Sequence, residues 1–224
     1  VAIRNANDGI STISIADSAL DQISQVLTRL AELAEQSANG VFSAVQRSAL
    51  SNEFFALASE IERIAITTEF NGVKLLSGSN IVALQVGFNS NSNSQISYSG
   101  IQGTLESLGL AGAGSSQLIY SVNGTTIETG QSAARLALDA VKNAIGSVTA
   151  ARGILGATDS RLRVTVDNLS VARENFASAE SRIRDVDVAA EAAELTRLNI
   201  LQQAGASVLA QANQQPTLAL QLLG

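Results

Sequence analysis

Apolar residues recur at alternating steps of three and four along the first part of the chain: Ile13, Ala16, Leu20, Ile23, Leu27, Leu30 and Ala34. That spacing lays one stripe along a helix and is the seam of a coiled coil. It predicts a long helix stopped by the Asn39–Gly40 pair. A second helix is expected from about Ala44 to Ile66, with Leu50, Phe54, Leu57, Ile61 and Ile64 on its apolar stripe. From Thr67 to Gly130 the texture changes. Asn71–Gly72, Ser77–Gly78 and Asn123–Gly124 punctuate short β-type runs at Ile81–Gly87, Ser94–Gly100 and Gln117–Val122, which predict strands joined by turns. The last run, followed by Asn123–Gly124 and Thr125–Glu128, predicts a hairpin.

Helical spacing returns from Ser132 to about Glu180. Leu138, Val141, Ile145, Val148, Arg152, Leu155, Asp159, Leu162, Val166, Leu169, Arg173 and Phe176 make a seam in which only the two Arg152 and Arg173 guanidinia and Asp159 are not apolar. A helix of that extent is roughly 70 Å long at about 1.5 Å per residue, which implies an elongated architecture. A polar knot, Ser181–Asp187, then separates this helix from a terminal one. After Arg197 the last 27 residues contain no Asp, Glu, Lys or Arg. A solvated helix carries a charged face, and a membrane span needs about 18 to 20 nearly continuous apolar residues. Here Gln202, Gln203, Gln211, Asn213, Gln214 and Gln215 interrupt the run, and Pro216 is expected to end the helix near Gln215. Burial against other protein, in particular other copies, fits such a segment. Leu195, Leu198, Ile200, Leu201, Val208 and Leu209 are the apolar positions assigned to that contact.

The fold expected is therefore mainly α: an elongated rod of long antiparallel coiled-coil-like helices with a small β region between its N- and C-terminal helical halves. The expected division is 1–66 for the first rod helices, 67–130 for the β-rich part, 131–180 for the second rod helix and 181–224 for connector and terminal helix. The opening segment has no initiator Met, basic region or apolar signal core and begins inside a helical pattern. Val1 thus looks like a cut end, which predicts that the natural N-terminus lies upstream and that the stretch from Val1 onward polymerises poorly by itself.

Composition narrows the chemistry. Phe and Tyr are few, and Trp, Cys, Met and His are absent, so Ala, Ser, Leu, Ile and Val must build slim helix–helix seams. Without His or Cys, Ser-His-Asp and Cys-His catalysis and zinc sites of the Cys or HExxH kind are excluded. The net charge of −6 offers no field for nucleic acid. Asp185, Asp187 and Glu191 faintly suggest a cation run, but they miss the calcium-loop spacing and its glycine, and a polar connector is favoured. Gly109, Gly112 and Gly114 lack the Lys-Ser/Thr that a phosphate loop needs. Phe88–Gln95, rich in Ser and Asn, is expected to be a solvated loop. Tyr98 and Tyr120 alone provide aromatic platforms for a sugar-binding adhesin. No enzyme, cofactor, metal site or membrane partner is expected.

Three stretches together resemble bacterial flagellin: Arg4–Ser11 (RNANDGIS) with the helix that follows, Glu69–Leu76 (EFNGVKLL), and above all Ser181–Pro216, which contains ILQQAG and VLAQANQ. The resemblance covers roughly 1–80 and 130–224 and implies a filament subunit used in motility, with other subunits as partners. It implies export without a cleaved signal peptide, a secretion chaperone that clasps the terminal helix, and glycosylation points among exposed serines. Hook–filament junction proteins share these ends more loosely and are the alternative, with a flagellin-like surface adhesin behind them. Leu27–Ser37 and Ser51–Ile64 resemble the two stretches read by the vertebrate Toll-like receptor for flagellins. Carried over, Arg29 is the guanidinium buried by the receptor, Leu33 its apolar neighbour and Glu53 the acidic partner. Arg29, Leu33 and Gln36 fall at i, i+4 and i+7 and are expected to share one exposed face. Ala31, Glu35 and Leu57 depart from the receptor-active pattern.

Overall fold

The computed structural model of the chain describes every residue except 79, 80, 88, 90, 100, 186 and 224, and describes 215–223 by their backbone alone. The expected Ser/Asn-rich loop thus lies outside the described residues at 88 and 90. The elements in order are helix α1 (Ala2–Ala38), helix α2 (Ala44–Thr67), the short strands β1 (Glu69–Phe70) and β2 (Val73–Lys74), strand β3 (Val82–Gln85), a 3-10 turn (Ser92–Ser94), strand β4 (Gln95–Tyr98), helix α3 (Ile127–Arg184) and helix α4 (Val188–Leu223). The fold is mainly α with a small β region between two helical halves. It divides into two compact units, Val1–Ser170 and Val171–Gly224.

In the first unit the α1 seam behaves as its spacing demands. Ile13, Ala16, Leu20, Ile23, Leu27, Leu30 and Ala34 are all buried, and so are the flanking Ala6, Ala19 and Leu33. The buried arc is wider than one heptad stripe because α1 is covered on two sides. On one side α2 returns antiparallel, started by a capping box in which the Gln46 amide donates to Ser43 Oγ and the Ser43 amide donates to Gln46 Oε1. Phe54, Ala58, Ile61, Ile64 and Ala65 are its buried residues toward the core, whereas Leu50 and Leu57 are only half-buried.

On the other side lies the first part of α3. Gly9 meets Leu162, Asp17 and Asp21 meet Arg152, and Gly40 meets Gln131. These contacts run in opposite directions along the two helices and define an antiparallel register. The expected α3 seam is half right. Val141, Val148, Leu155 and Leu162 are buried, but the residues buried with them are Ala137, Ala144 and Thr158, with Ala151 and Arg152 both half-buried, rather than Leu138, Ile145, Arg152 and Asp159. The small side chains are the more buried ones, and the larger ones flank them half-buried.

Two expectations for the ends of α3 are corrected. The hairpin expected across Gln117–Glu128 does not form; the run makes a single antiparallel bridge, Ala111 with Leu118. Helix capping wins over strand pairing at Thr125–Glu128, because Thr126 Oγ1 accepts from the Thr129 amide and Thr129 Oγ1 from the Thr126 amide. α3 therefore starts at Ile127 instead of Ser132. At its other end it absorbs Ser181–Arg184, the first half of the expected polar knot.

β3 and β4 fall within two of the expected runs, whereas β1 and β2 flank an Asn-Gly pair expected only as a turn. β1 and β2 pair across the two-residue turn Asn71–Gly72, whose φ values of 50° and 77° are those of the turn that Asn-Gly favours. β3 and β4 pair antiparallel from Val82 with Tyr98 to Gln85 with Gln95. The loop after β4 is pinned to the helices: the Leu105 amide donates to Glu62 Oε2 at 2.8 Å and the Gly103 amide to the Leu76 carbonyl at 2.8 Å. This lets Leu105 and Leu110 complete the core.

In the second unit, every described residue from 171 to 214 is exposed except the half-buried Ala172. Asp187 starts α4, its Oδ1 accepting from the amides of Ala189 and Ala190. α4 continues to Leu223, so Pro216 does not end it as expected. The ring removes one main-chain bond there and crowds the carbonyl of the preceding turn, costs that the helix bears without stopping.

Candidate functional site

Two surfaces carry the residues that the sequence singled out, and they differ in chemistry. The first is a charged cluster across α1 and α2. Arg29 Nε and Nη2 donate to Glu53 Oε1 at 3.0 and 2.9 Å, and Nη1 donates to Glu32 Oε2 at 2.9 Å. Its hydrogen bonds to Glu32 and then Glu53, backed by their charges, raise the Arg29 pKa above its usual value. All three side chains are about half exposed, so the pairs contribute little to stability. They do hold the guanidinium in one orientation across the helix pair.

Leu33 does not belong to this surface. It is 0% exposed, although Arg29 and Gln36 on either side of it are exposed. The expected exposed face of Arg29, Leu33 and Gln36 is thus broken in the middle. Leu33 stands three residues after Leu30 and one before Ala34, so it borders the seam, and the double covering of α1 buries it. Its role is packing.

The second surface is apolar and lies in Val171–Gly224. Leu195, Leu198, Ile200, Leu201, Val208 and Leu209 are between 50% and 67% exposed. Val171, Phe176, Ile183 and Val188 extend the set; of these only Phe176 was expected, as part of a seam. Ile183 sits inside the stretch taken as a polar knot. The signal that could have found it was the spacing Phe176–Ile183, one heptad. α4 shows its apolar side chains on several sides rather than on one stripe. A helix of that kind is suited to burial all round.

Several other charged groups are already engaged. A groove of about 410 Å³ between α1 and α3 is lined by Asp17, Arg152, Asp159 and Arg163. Its charges pair with each other: Arg152 with Asp17 and Asp21, Arg163 with Asp159. The Gly109–Gly114 loop closes on its own carboxylate, Glu106 Oε1 accepting from the Gly114 amide at 2.9 Å, which opposes any anion. Asp187 is occupied as a helix cap and Asp185 accepts from Ser181 Oγ. Among the described residues, no group of three acidic side chains is placed to hold a metal, and no helix is long and apolar enough to cross a membrane.

Comparison with known proteins points the same way. The bacterial flagellin N-terminal helical region matches residues 1–81, and the bacterial flagellin C-terminal helical region matches residues 138–223. The chain is 44% identical over 223 residues to a flagellin of Halalkalibacterium halodurans, covering 99% of this chain and 77% of that one. It is 39% identical over 246 residues to a Bacillus subtilis flagellin (100% and 80% covered). It is 37% identical over 231 residues to a flagellar filament 33 kDa core protein of Treponema phagedenis (99% and 78%). Among solved structures, Bacillus cereus flagellin superposes with a TM-score of 0.61 at 25% identity, over 79% of this chain and 94% of that one. A putative flagellar hook-associated protein from Vibrio parahaemolyticus reaches 0.65 at 16% identity, over 81% and 89%, a likeness of fold alone.

Proposed function

Because this chain belongs to the bacterial flagellin family and is a structural subunit of the flagellar filament, we propose that the apolar side chains of α4 and of α3 beyond Ser170 are the surface through which copies join. One observation carries the proposal: Leu195, Leu198, Ile200, Leu201, Val208 and Leu209 are all at least half exposed on a helix with no charge after Arg197. Burying one such side chain stabilises by about 1.5–3 kcal/mol, so a few of them per subunit suffice for tight packing. The test is concentration-dependent self-association of the full chain by sedimentation velocity. Leu201→Asp or Val208→Asp should weaken it while leaving helicity unchanged. Self-association that neither substitution alters would overturn the assignment.

The same helix is the proposed docking site of a secretion chaperone that takes the subunit to the cell exterior without a cleaved signal. Apolar positions at helical spacing suit a helix laid in a groove, and occupancy would keep copies apart before assembly. Leu195→Asp should lower chaperone affinity by calorimetry, and unchanged affinity would argue against this step.

A second reading concerns the Arg29 cluster, proposed as the contact for the vertebrate Toll-like receptor. Its support is the exposed, pre-oriented guanidinium held by Glu53 and Glu32. An interface arginine of central position costs more than about 2 kcal/mol on truncation, or roughly thirtyfold in affinity. Arg29→Ala should cut receptor-reporter activation by about tenfold or more, and equal activity of variant and parent would remove the reading.

A further inference from the structure

We propose that Asn71 is a site of spontaneous deamidation, the one Asn-Gly pair of three that the fold leaves free to react. Asn39–Gly40, Asn71–Gly72 and Asn123–Gly124 have the same local sequence chemistry. In each, the glycine amide nitrogen is the nucleophile. It attacks the side-chain carbonyl carbon of Asn, the new C–N bond closes a succinimide, the amide proton is lost and ammonia leaves. Water then opens the ring to aspartate or to isoaspartate. Attack requires the nitrogen to swing over the carbonyl carbon, so the pair that moves most readily reacts first.

The structure separates the three. At Asn123 the Gly124 amide donates to Asn123 Oδ1 at 2.9 Å, which holds the nitrogen against the oxygen instead of above the carbon. Gly124 is also wedged against Thr129 and Gly130 at the start of α3, where an added Cβ would lie 2.3 Å from the Gly130 nitrogen. The neighbouring Val122 carbonyl accepts from Ser37 Oγ. Asn39 is held from both ends: its Oδ1 accepts from the Val41 amide at 3.3 Å and its carbonyl from Arg47 Nη2 at 3.0 Å. Gly40 abuts Gln131.

Asn71 has none of these restraints. Both residues of the pair are exposed, nothing lies within 4 Å of the position a Gly72 Cβ would take, and among the described residues the Asn71 side chain makes no hydrogen bond. Asn71 sits at φ 50°, a left-handed conformation that must open before attack. The hairpin around it pairs Glu69 with Lys74, whose side chains also join, and Phe70 with Val73, and one more main-chain bond, from the Leu75 amide to the Thr68 carbonyl, closes its base. Opening so short and exposed a ribbon lies at the low end of local unfolding free energies. The products matter to the fold. Isoaspartate adds a main-chain atom to a two-residue turn whose length sets the strand register, and either product puts a new negative charge beside Glu69.

The test is ageing of the purified full chain in mildly alkaline buffer, followed by peptide mapping. Trypsin releases Asn71 in Ile64–Lys74 and Asn39 in Leu30–Arg47, each as the single Asn of its peptide; Asn123 is followed by fragmentation. Asn71 is expected to convert at least about tenfold faster than the other two, the factor that about 1.4 kcal/mol of easier opening provides. In urea the three should converge, because only the fold distinguishes them. Asn71→Gly, which keeps a residue suited to the turn, should remove the fast phase alone. Equal native rates at the three sites, or faster conversion at Asn39 or Asn123, would overturn the proposal.

Discussion

Arg47 is the most demanding side chain in the core, and replacing it is the sharpest test of how the first unit is held together. It is 1% exposed. Nε donates to the Ser37 carbonyl and Nη2 to the Asn39 carbonyl, both at 3.0 Å. These are carbonyls at the C-terminal end of α1, where a helix leaves acceptors unpaired and its dipole is negative. The stem of Arg47 lies against Gly130, where an added Cβ would be 3.1 Å from Cδ. One guanidinium thus joins α1 and α2 beneath the first turn of α3. Arg47→Met keeps most of the stem's volume and removes both donors. Each charge-assisted hydrogen bond contributes about 1.5–3 kcal/mol. Against that loss stands relief from burying a cation, a cost of several kcal/mol when nothing compensates it. The Ser37 carbonyl stays buried and unpaired in the variant while that of the exposed Asn39 can turn to water, so the loss should win, leaving a net destabilisation of about 2–4 kcal/mol. For a chain of this size each kcal/mol moves the midpoint by about 2–4 °C, so the melt followed by circular dichroism should fall by roughly 4–16 °C. Arg47→Lys keeps the charge without the planar fork and should fall between parent and Met variant. A Met variant melting within about 2 °C of the parent would refute the argument, and a Lys variant as stable as the parent would show that fork geometry is irrelevant.

Leu33→Ala should destabilise by about 2–5 kcal/mol because it opens a cavity in the core, whereas Leu201→Ala should leave the melt of the free chain unchanged; equal effects would contradict the burial assigned to each. Tyr98 carries a buried hydroxyl without a hydrogen-bond partner among the described residues, so Tyr98→Phe should match or exceed the parent by up to about 1 kcal/mol, and a clear loss in denaturant melts would reveal a partner. Burial raises the Tyr98 pKa above its ordinary 10.0, so the folded chain holds this proton more tightly than the unfolded one. The parent should then lose stability as pH rises above about 10, a decline that Tyr98→Phe should reduce. Arg152 pairs with Asp17 and Asp21 on side chains at least 36% exposed, so Arg152→Gln should cost no more than about 1 kcal/mol and less at high salt, with a large salt-independent loss arguing that the pairs act as buried ones.

The parts of this fold that were legible in the sequence are those in which apolar side chains are large and regularly spaced. The α1 seam is the example: seven residues at alternating steps, all buried. Leu33 was misplaced because a heptad stripe describes a helix with one neighbour, and α1 has several, α2, the first part of α3 and β3 among them. On α3 the large residues were misleading. Leu138 and Ile145 carry more hydrophobic weight than Ala137 and Ala144, yet the alanines are the buried residues and the larger ones only half-buried. Arg47 carried no signal at all. It lies in the same kind of polar helical context as any solvated arginine, and only the return of α2 against the α1 C-terminus buries it. The expected hairpin after Gln117 failed for a local reason, since a reciprocal pair of threonines stabilises a helix start more than two residues of strand propensity can oppose.

The second unit inverts this logic. There the sequence was informative because it conflicts with the chain's own fold. A globular surface accommodates scattered exposed apolar residues, but a helix without charge after Arg197 that shows Leu198, Ile200, Leu201, Val208 and Leu209 to solvent has no means of satisfying them alone. Its glutamines and asparagines make the same point from the polar side, since they hydrogen-bond without introducing a charge that burial would penalise. On the proposed assembly, neighbouring copies would cover these side chains. The first unit is specified by what its side chains bury within the chain, and the second exposes the residues that this proposal assigns to other copies. Leu33→Ala and Leu201→Asp should accordingly fail in opposite assays, the one in melting and the other in self-association.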